Sequence, residues 1–132
     1  ERIGDIVVNI AEKGLRLSDA PSIDIFSWLI HMGKVAREML KGSLDAFVTL
    51  DVAKAREVIL RDDELDAMKK KVSETVVDRI TAADTGTMTG ALLLMTGVAR
   101  DLERIGDHAT NIAEDVSYLS EGMIVRHKRV TN

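Results

Sequence analysis

The chain has 132 residues, enough for one domain with a hydrophobic core. Its composition, 45% apolar and 30% charged but only 3% aromatic, is typical of a helical bundle rather than of a sheet protein. The absence of cysteine excludes disulfides, thiolate metal sites and thiol nucleophiles. A net charge of −4 argues against a nucleic-acid partner, and we interpret the basic cluster at 126–129 as a solvated tail.

The first predicted helix contains a sequence segment, called the repeated phrase below, that occurs again near the end of the chain. Residues 1–20, ERIGDIVVNIAEKGLRLSDA, are identical at 11 of 20 positions to residues 103–122, ERIGDHATNIAEDVSYLSEG. A repeat unit of about a hundred residues is a small domain and far longer than a solenoid motif. We therefore predict that 1–20 is the last helix of a truncated first three-helix repeat, which roughly 80 upstream residues would complete.

This first helix has an apolar face that needs a partner. The face consists of Ile3, Val7, Ile10 and Leu17. We expect it to fold onto the remaining helices or to pair with another chain. Partly for that reason, the sequence predicts a homodimer.

The next two helices follow from breaks and periodicity. The segment SDAPS at 18–22 contains the only proline, and Ser22 is placed to cap the second helix. That helix has apolar or small residues three and four apart, at 26, 29, 33, 36, 40, 44 and 47. Asp51 is the predicted N-cap of a single third helix. Its apolar stripe is Val52, Ala55, Val58, Leu65, Val72, Val76 and Ile80.

The fourth predicted helix follows a Thr- and Gly-rich break at 82–90. It has a seven-residue seam through Leu92, Met95, Ala99, Leu102, Gly106, Ala109, Ala113 and Val116. Because short connections make neighbouring helices antiparallel, 22–120 is predicted to be a complete three-helix repeat running up, down and up. Residues 121–132 are predicted to be a C-terminal tail. The fold class is therefore an all-α antiparallel bundle of long helices.

Two acidic residues in the complete phrase mark a candidate site. Glu103 and Asp107 are four apart and so lie on one face of the helix, where like charges repel. If helices three and four fold back at about residue 85, Asp66 and Asp62 come level with them across the hairpin. Asp62 even falls on the apolar stripe of its helix.

Four converging carboxylates need a proton or a cation to neutralise them. Hard cations such as Mg²⁺, Mn²⁺ and iron take carboxylate oxygens, and Zn²⁺ can as well. Asn111, one turn beyond Asp107, is a candidate further ligand or a donor to one. Gly106 removes a side chain where the helices or the cluster must approach closely. The first copy repeats the pattern as an incomplete motif, with Glu1, Asp5 and Asn9 in the corresponding places and Gly4 in that of the glycine.

A simpler interpretation stays open beside the metal site. Three ion pairs would neutralise the same acids on the surface, namely Arg100–Glu103, Arg104–Asp107 and Lys70–Asp66. Exposed pairs of this kind contribute ~0–1 kcal/mol each. The chain would then be a purely structural or dimerisation bundle without metal.

The stretch ARDLERIGDHATNIAEDVSYL at 99–119 resembles the last-helix signature of the PhoU family of phosphate-uptake regulators. The resemblance implies two three-helix bundles in tandem and a multinuclear metal cluster in each, of iron or zinc first and of magnesium or manganese second. It implies Asp62, Asp66, Glu103 and Asp107 as the ligands of the complete set. Glu1 and Asp5 match the last-helix motif of the other bundle.

The same resemblance implies a non-enzymatic regulator that restrains phosphate import and phosphate-starvation signalling. Its implied partners are the ATP-binding subunit of the Pst phosphate transporter and a membrane sensor histidine kinase. Its implied location is the cytoplasm, at the inner face of the membrane through those partners. An alternative enzyme, a di-iron carboxylate oxidase, would need Glu-x-x-His motifs. The residues three before His31, His108 and His127 are Trp28, Ile105 and Ile124.

Overall fold

The computed structural model describes residues 1–18, 20, 24–82 and 88–130, with side chains described through residue 122. Its helices are α1 (Arg2–Leu17), α2 (Ile25–Thr49), α3 (Val52–Leu60), α4 (Asp62–Ala82) and α5 (Thr89–Val130). These described residues contain no strand, so the all-α prediction is confirmed. None of these helices is long and apolar enough to span a membrane. The predicted cap Ser22 lies outside the described residues.

Helix α2 runs antiparallel to α3 and α4. Glu38 on α2 pairs with Arg61 at 2.8 Å, and Asp24 just before α2 lies 3.5 Å from Arg79 near the end of α4. Asp51 caps α3 as predicted, because its carboxylate accepts a hydrogen bond from the Lys54 backbone N–H at 3.0 Å. Helix α5 packs against each of the other four helices. The bundle is therefore built around α5.

The core confirms most of the predicted apolar stripes. Every position of the α5 seam is buried, from Leu92 to Val116, and Ala55, Val58, Leu65, Val72 and Val76 are buried on α3 and α4. The predicted face of α2 is confirmed at Leu29 and Ala36 and is wrong by about one residue elsewhere. Its buried residues are Ile25, Leu29, Met32, Val35, Ala36, Met39, Ser43 and Ala46, whereas Leu44 and Phe47 are exposed. Both sets of positions on α2 are spaced three and four apart, and the set that contains Met32 and Met39 is the buried one.

The single third helix of the prediction is divided at Arg61 into α3 and α4. The Arg61 backbone N–H bonds back to the Val58 carbonyl at 3.1 Å, which tightens the last turn of α3. The next three residues, 62–64, are all acidic and form the first turn of α4. Negative charge is favourable at the positive end of a helix, so this run of acids stabilises a new helix start.

Helix α5 extends farther than predicted. Its backbone is helical to Val130, beyond residue 120, where the tail was predicted to begin. Side chains from 123 onward, including the basic cluster at 126–129, are outside the described residues. The backbone of α5 thus stays helical beyond Val116, the last residue of the predicted seam.

Helix α1 packs against α5 within this chain. Its buried residues are Ile6 and Leu17, with Ile3 and Ile10 half-buried against the core, whereas Val7 from the predicted face is exposed. Lys13 pairs with Asp101, whose side chain is only 3% exposed. This buried ion pair, which was not predicted from the sequence, joins α1 to α5 two residues before the second copy of the repeated phrase.

Candidate metal site

The hairpin of α4 and α5 brings the two predicted acid pairs to the same level. Lys69 on α4 reaches Glu103 on α5, and Leu65 faces Gly106. The residue earlier in α4, Leu65, thus meets the residue later in α5, Gly106, as expected of antiparallel helices. The predicted turn near residue 85 placed these levels correctly to within about a turn.

Asp62 is the most constrained of the four acids. Its Oδ1 is buried without a hydrogen-bond partner, and so is the hydroxyl oxygen of neighbouring Thr110. Burial, followed by the negative charge of Asp66, raises the pKa of Asp62, while the nearby Thr110 hydroxyl acts in the opposite direction. The first turn of α4 therefore places an unsatisfied carboxylate oxygen against α5, at a cost in stability.

Asp107 approaches these acids from the opposite helix, and its residue is exposed, unlike the half-buried Asp62. Burial raises the pKa of its carboxyl, and the charges of Glu103, Asp62 and Asp66 raise it further. The four acids therefore act on one another across the hairpin. Asn111, one turn farther along α5, is exposed and could approach the cluster only from its solvent side.

One lysine supplies the positive charge in the cluster. Lys69 donates to Glu103, whose side chain is only 14% exposed. The hydrogen bond to Glu103 raises the pKa of the Lys69 ammonium, and the charges of Asp66 and Asp107 add to the effect. The surface pairs expected from sequence are replaced by others: Arg104 lies 3.9 Å from Asp101, and Lys70 lies 3.9 Å from Glu74.

The donor chemistry of the cluster fits a hard divalent cation. Carboxylate oxygens are the ligands such ions prefer, and the buried Asp62 Oδ1 is a free acceptor among them. Within the described part of the chain, no three Asp, Glu or His side chains are placed to hold one ion. Metal binding would therefore require these side chains to move together and Lys69 to withdraw.

Gly106 has the role that the sequence predicted for it. A Cβ at this position would lie 2.4 Å from Leu65 Cδ2 and 3.7 Å from Asp62 Oδ1. No side-chain atom fits at that distance without displacing Leu65, which is fully buried. The missing side chain thus lets α4 and α5 approach closely at the level of the acids.

The first copy of the phrase has different surroundings. Glu1, directly before α1, and Asp5 and Asn9 on α1 are exposed. A Cβ on Gly4 would meet nothing within 4 Å. The incomplete motif of the sequence prediction is therefore a helical surface in this chain, and its role as a second metal site stays a prediction.

The described residues define an all-α bundle protein with an acidic cluster on the hairpin of its last two helices. Residues 29–116 match the family model of the PhoU domain. The chain is 37% identical over 123 residues to the phosphate-specific transport system accessory protein PhoU homolog 1 of Thermotoga maritima, which is 92% of this chain and 52% of that protein. It is 35% identical over 122 residues to the PhoU homologs of Clostridium acetobutylicum and Deinococcus radiodurans, covering 92% of this chain and 55% and 56% of theirs.

The chain therefore belongs to the PhoU family, as its resemblance over 99–119 predicted. It spans about half the length of the curated relatives that it matches. The matched region contains all four acids of the cluster, together with Lys69 and Gly106.

Proposed function

We propose that this chain belongs to a non-enzymatic accessory regulator of phosphate-specific transport, which restrains phosphate uptake and phosphate-starvation signalling. The observation that supports this most is the PhoU-domain match over 29–116. The relatives from T. maritima and C. acetobutylicum are named as accessory proteins of that transport system. A helical bundle with an acidic cluster suits an adaptor that senses a cation and contacts other proteins.

The proposed partners are the ATP-binding subunit of the phosphate transporter and a membrane sensor histidine kinase. A protein with these partners would work in the cytoplasm, at the inner face of the membrane. We propose that it does so as a homodimer, since α1 leaves apolar side chains such as Val7 and Val8 exposed. Binding of the purified chain to the purified ATP-binding subunit, measured by biolayer interferometry, tests the central partner. Saturable binding supports the proposal, and its absence with and without metal would contradict it.

The metal part of the proposal assigns the cluster to cation binding. Asp62, Asp66, Glu103 and Asp107 would hold the metal, with Asn111 beside them. A bound cation, iron or zinc first and magnesium or manganese second, would supply the positive charge that these carboxylates need. Support comes from the unpartnered Asp62 Oδ1 and from the shared environment that raises the pKa of both Asp62 and Asp107.

Metal content measured by mass spectrometry tests this site, and the repeat provides a matched control. The double variant Glu103→Ala/Asp107→Ala removes half of the cluster, while Glu1→Ala/Asp5→Ala makes the same change in the first copy. We expect stoichiometric metal in the wild type and in the first-copy variant, and its loss in the second-copy variant. Equal metal content in all three proteins would contradict the assignment.

A metal-free structural bundle is the second candidate, and one observation favours it. Lys69 already neutralises Glu103 from within the chain, and the described acids do not converge on one point. In that case the wild type would contain no metal even after incubation with iron, zinc, manganese and magnesium. Removing the acids would then be neutral or mildly stabilising.

A further inference from the structure

Three consecutive lysines on α4 have three different environments. Lys69 turns inward to Glu103 on α5. Lys70 points away, with its side chain 77% exposed and 3.9 Å from Glu74 of the same helix. Lys71 lies over the ring of Trp28 on α2, 4.3 Å from its centroid. Of the three, Lys69 lies nearest to the helical face that carries both Asp62 and Asp66, because it follows them by seven and three residues.

The ammonium of Lys69 occupies the place in the cluster where positive charge is most needed. Glu103 lies beneath it, and Asp66 and Asp107 are close enough to act on its charge. One ammonium beside three carboxylates leaves an excess of negative charge, and Asp62 Oδ1 still has no partner. The internal cation therefore satisfies the cluster only in part.

We propose that Lys69 is the resident cation of the α4–α5 acidic cluster and that a divalent metal ion binds there only by displacing it. This rests on the proposed function, because it concerns the same site. A divalent ion carries twice the charge and can take several carboxylate oxygens at once, which one ammonium cannot do. Lys69 has somewhere to go, since its side chain is already 37% exposed and sits on a flexible stem.

Displacement has two consequences for the protein. The affinity for metal is lower than four carboxylates alone would give, because the ion pair with Glu103 must first be broken. Metal binding also releases the Lys69 ammonium to the surface beside the cluster, so that occupancy of the site changes the charge that a partner meets. The lysine thereby sets the metal concentration at which the site fills.

The test compares Lys69→Met with Lys70→Met in binding of Zn²⁺ and of Mn²⁺, each added alone to chelator-treated protein. Both variants remove one lysine charge from the same helix and keep a long side chain. We expect Lys69→Met to bind about tenfold more tightly than the wild type, because a competing charge has gone and Glu103 is free. Lys70→Met should bind as the wild type does, within about twofold.

A second measurement needs no metal. Thermal unfolding in chelator should show Lys69→Met melting about 4 °C below Lys70→Met, because Glu103 loses its partner. Added Zn²⁺ or Mn²⁺ should abolish that difference.

The possible outcomes distinguish the role of Lys69 from the existence of the metal site. Equal affinities in wild type and Lys69→Met would overturn the displacement and leave the metal site standing. Equal melting temperatures of the two variants in chelator would overturn the assignment of Lys69 as the resident cation. If neither Zn²⁺ nor Mn²⁺ binds to any of the three proteins, the metal site and the displacement are overturned together.

Discussion

The two copies of the repeated phrase share their sequence but not their surroundings. In the second copy, Gly106 lies against Leu65, and Glu103 is mostly buried near a lysine and three other acids. In the first copy, Gly4 faces open space, and Glu1 and Asp5 are exposed. The phrase therefore specifies a helix with acids on one face. It becomes a candidate site only where a second helix brings another acid pair to the same level.

The largest expected effect concerns the ion pair that holds the first copy to α5. Lys13→Met would leave the Asp101 carboxylate buried with only Arg104 nearby at 3.9 Å, so we expect the free energy of unfolding to fall by about 2–4 kcal/mol. Asp101→Ala should cost less, about 1 kcal/mol, because Lys13 can turn out to water. Urea unfolding measures both changes, with Lys70→Met as an exposed control. Equal losses for Lys13→Met and Lys70→Met would show that the pair does not stabilise the docking of α1.

The two glycines give the next contrast. Gly106→Ala should lower the free energy of unfolding by about 1–2 kcal/mol, because a Cβ 2.4 Å from Leu65 forces the core to shift and outweighs the gain in helix propensity. Gly4→Ala should raise it by roughly 0.5–1 kcal/mol, because the new methyl meets nothing and alanine favours the helix. Urea unfolding of both variants checks the opposite signs. The same sign for both would mean that α4 and α5 are not closely packed at Gly106.

The acids of the α4–α5 cluster should make the stability of the protein depend on pH. Since the folded state raises the pKa of Asp62 and Asp107, the native chain binds protons more tightly than the unfolded chain. Their contribution to stability is therefore complete below the unfolded-state pKa values, is lost as pH rises through the raised folded values, and is regained on acidification. Asp62→Asn with Asp107→Asn should flatten this part of the pH profile of metal-free protein, followed by thermal unfolding. A profile unchanged by the two substitutions would contradict the shared environment of these acids.

The smallest contrast comes from single substitutions at pH 7. Asp107→Asn should stabilise the metal-free protein by about 0.2–0.5 kcal/mol, by relieving repulsion from Glu103 one turn away. Asp5→Asn should destabilise it slightly, because Asp5 lies in the first turn of α1, where a negative charge is favourable. Chemical unfolding of the two variants side by side checks the difference, and stabilisation by both would remove the distinction between the copies.

Much of this fold could be predicted from sequence where the pattern has one solution. The α5 seam repeats every seven residues and is buried throughout, and Asp51 caps α3. On α2 two faces have the same spacing, so periodicity alone could not decide whether the face with Met39 or the face with Leu44 is buried. The division at Arg61 had a visible signal in three consecutive acids, which are typical of a helix start.

The acids of the candidate site could be predicted from the sequence, but the lysine that neutralises them could not. The level of Asp62 and Asp66 follows from chain geometry, since a short hairpin fixes which residues meet. Three adjacent lysines differ only in the direction in which they leave the helix, and the expected partner, Lys70, proved to be exposed. The spacing of Lys69 from Asp66 and Asp62 was the available signal. Lys13 and Asp101 could not be paired from sequence, because they lie on helices whose packing no short loop dictates.

The metal site at the α4–α5 acid cluster is tested most directly by anomalous diffraction from crystals of this chain soaked in zinc and measured at the zinc absorption edge. We expect an anomalous peak among Asp62, Asp66, Glu103 and Asp107, with the Lys69 ammonium moved away from Glu103 and no peak at Glu1 and Asp5. A peak at the first copy alone, or none at the α4–α5 cluster, would contradict the claim that facing acid pairs turn the repeated phrase into a site.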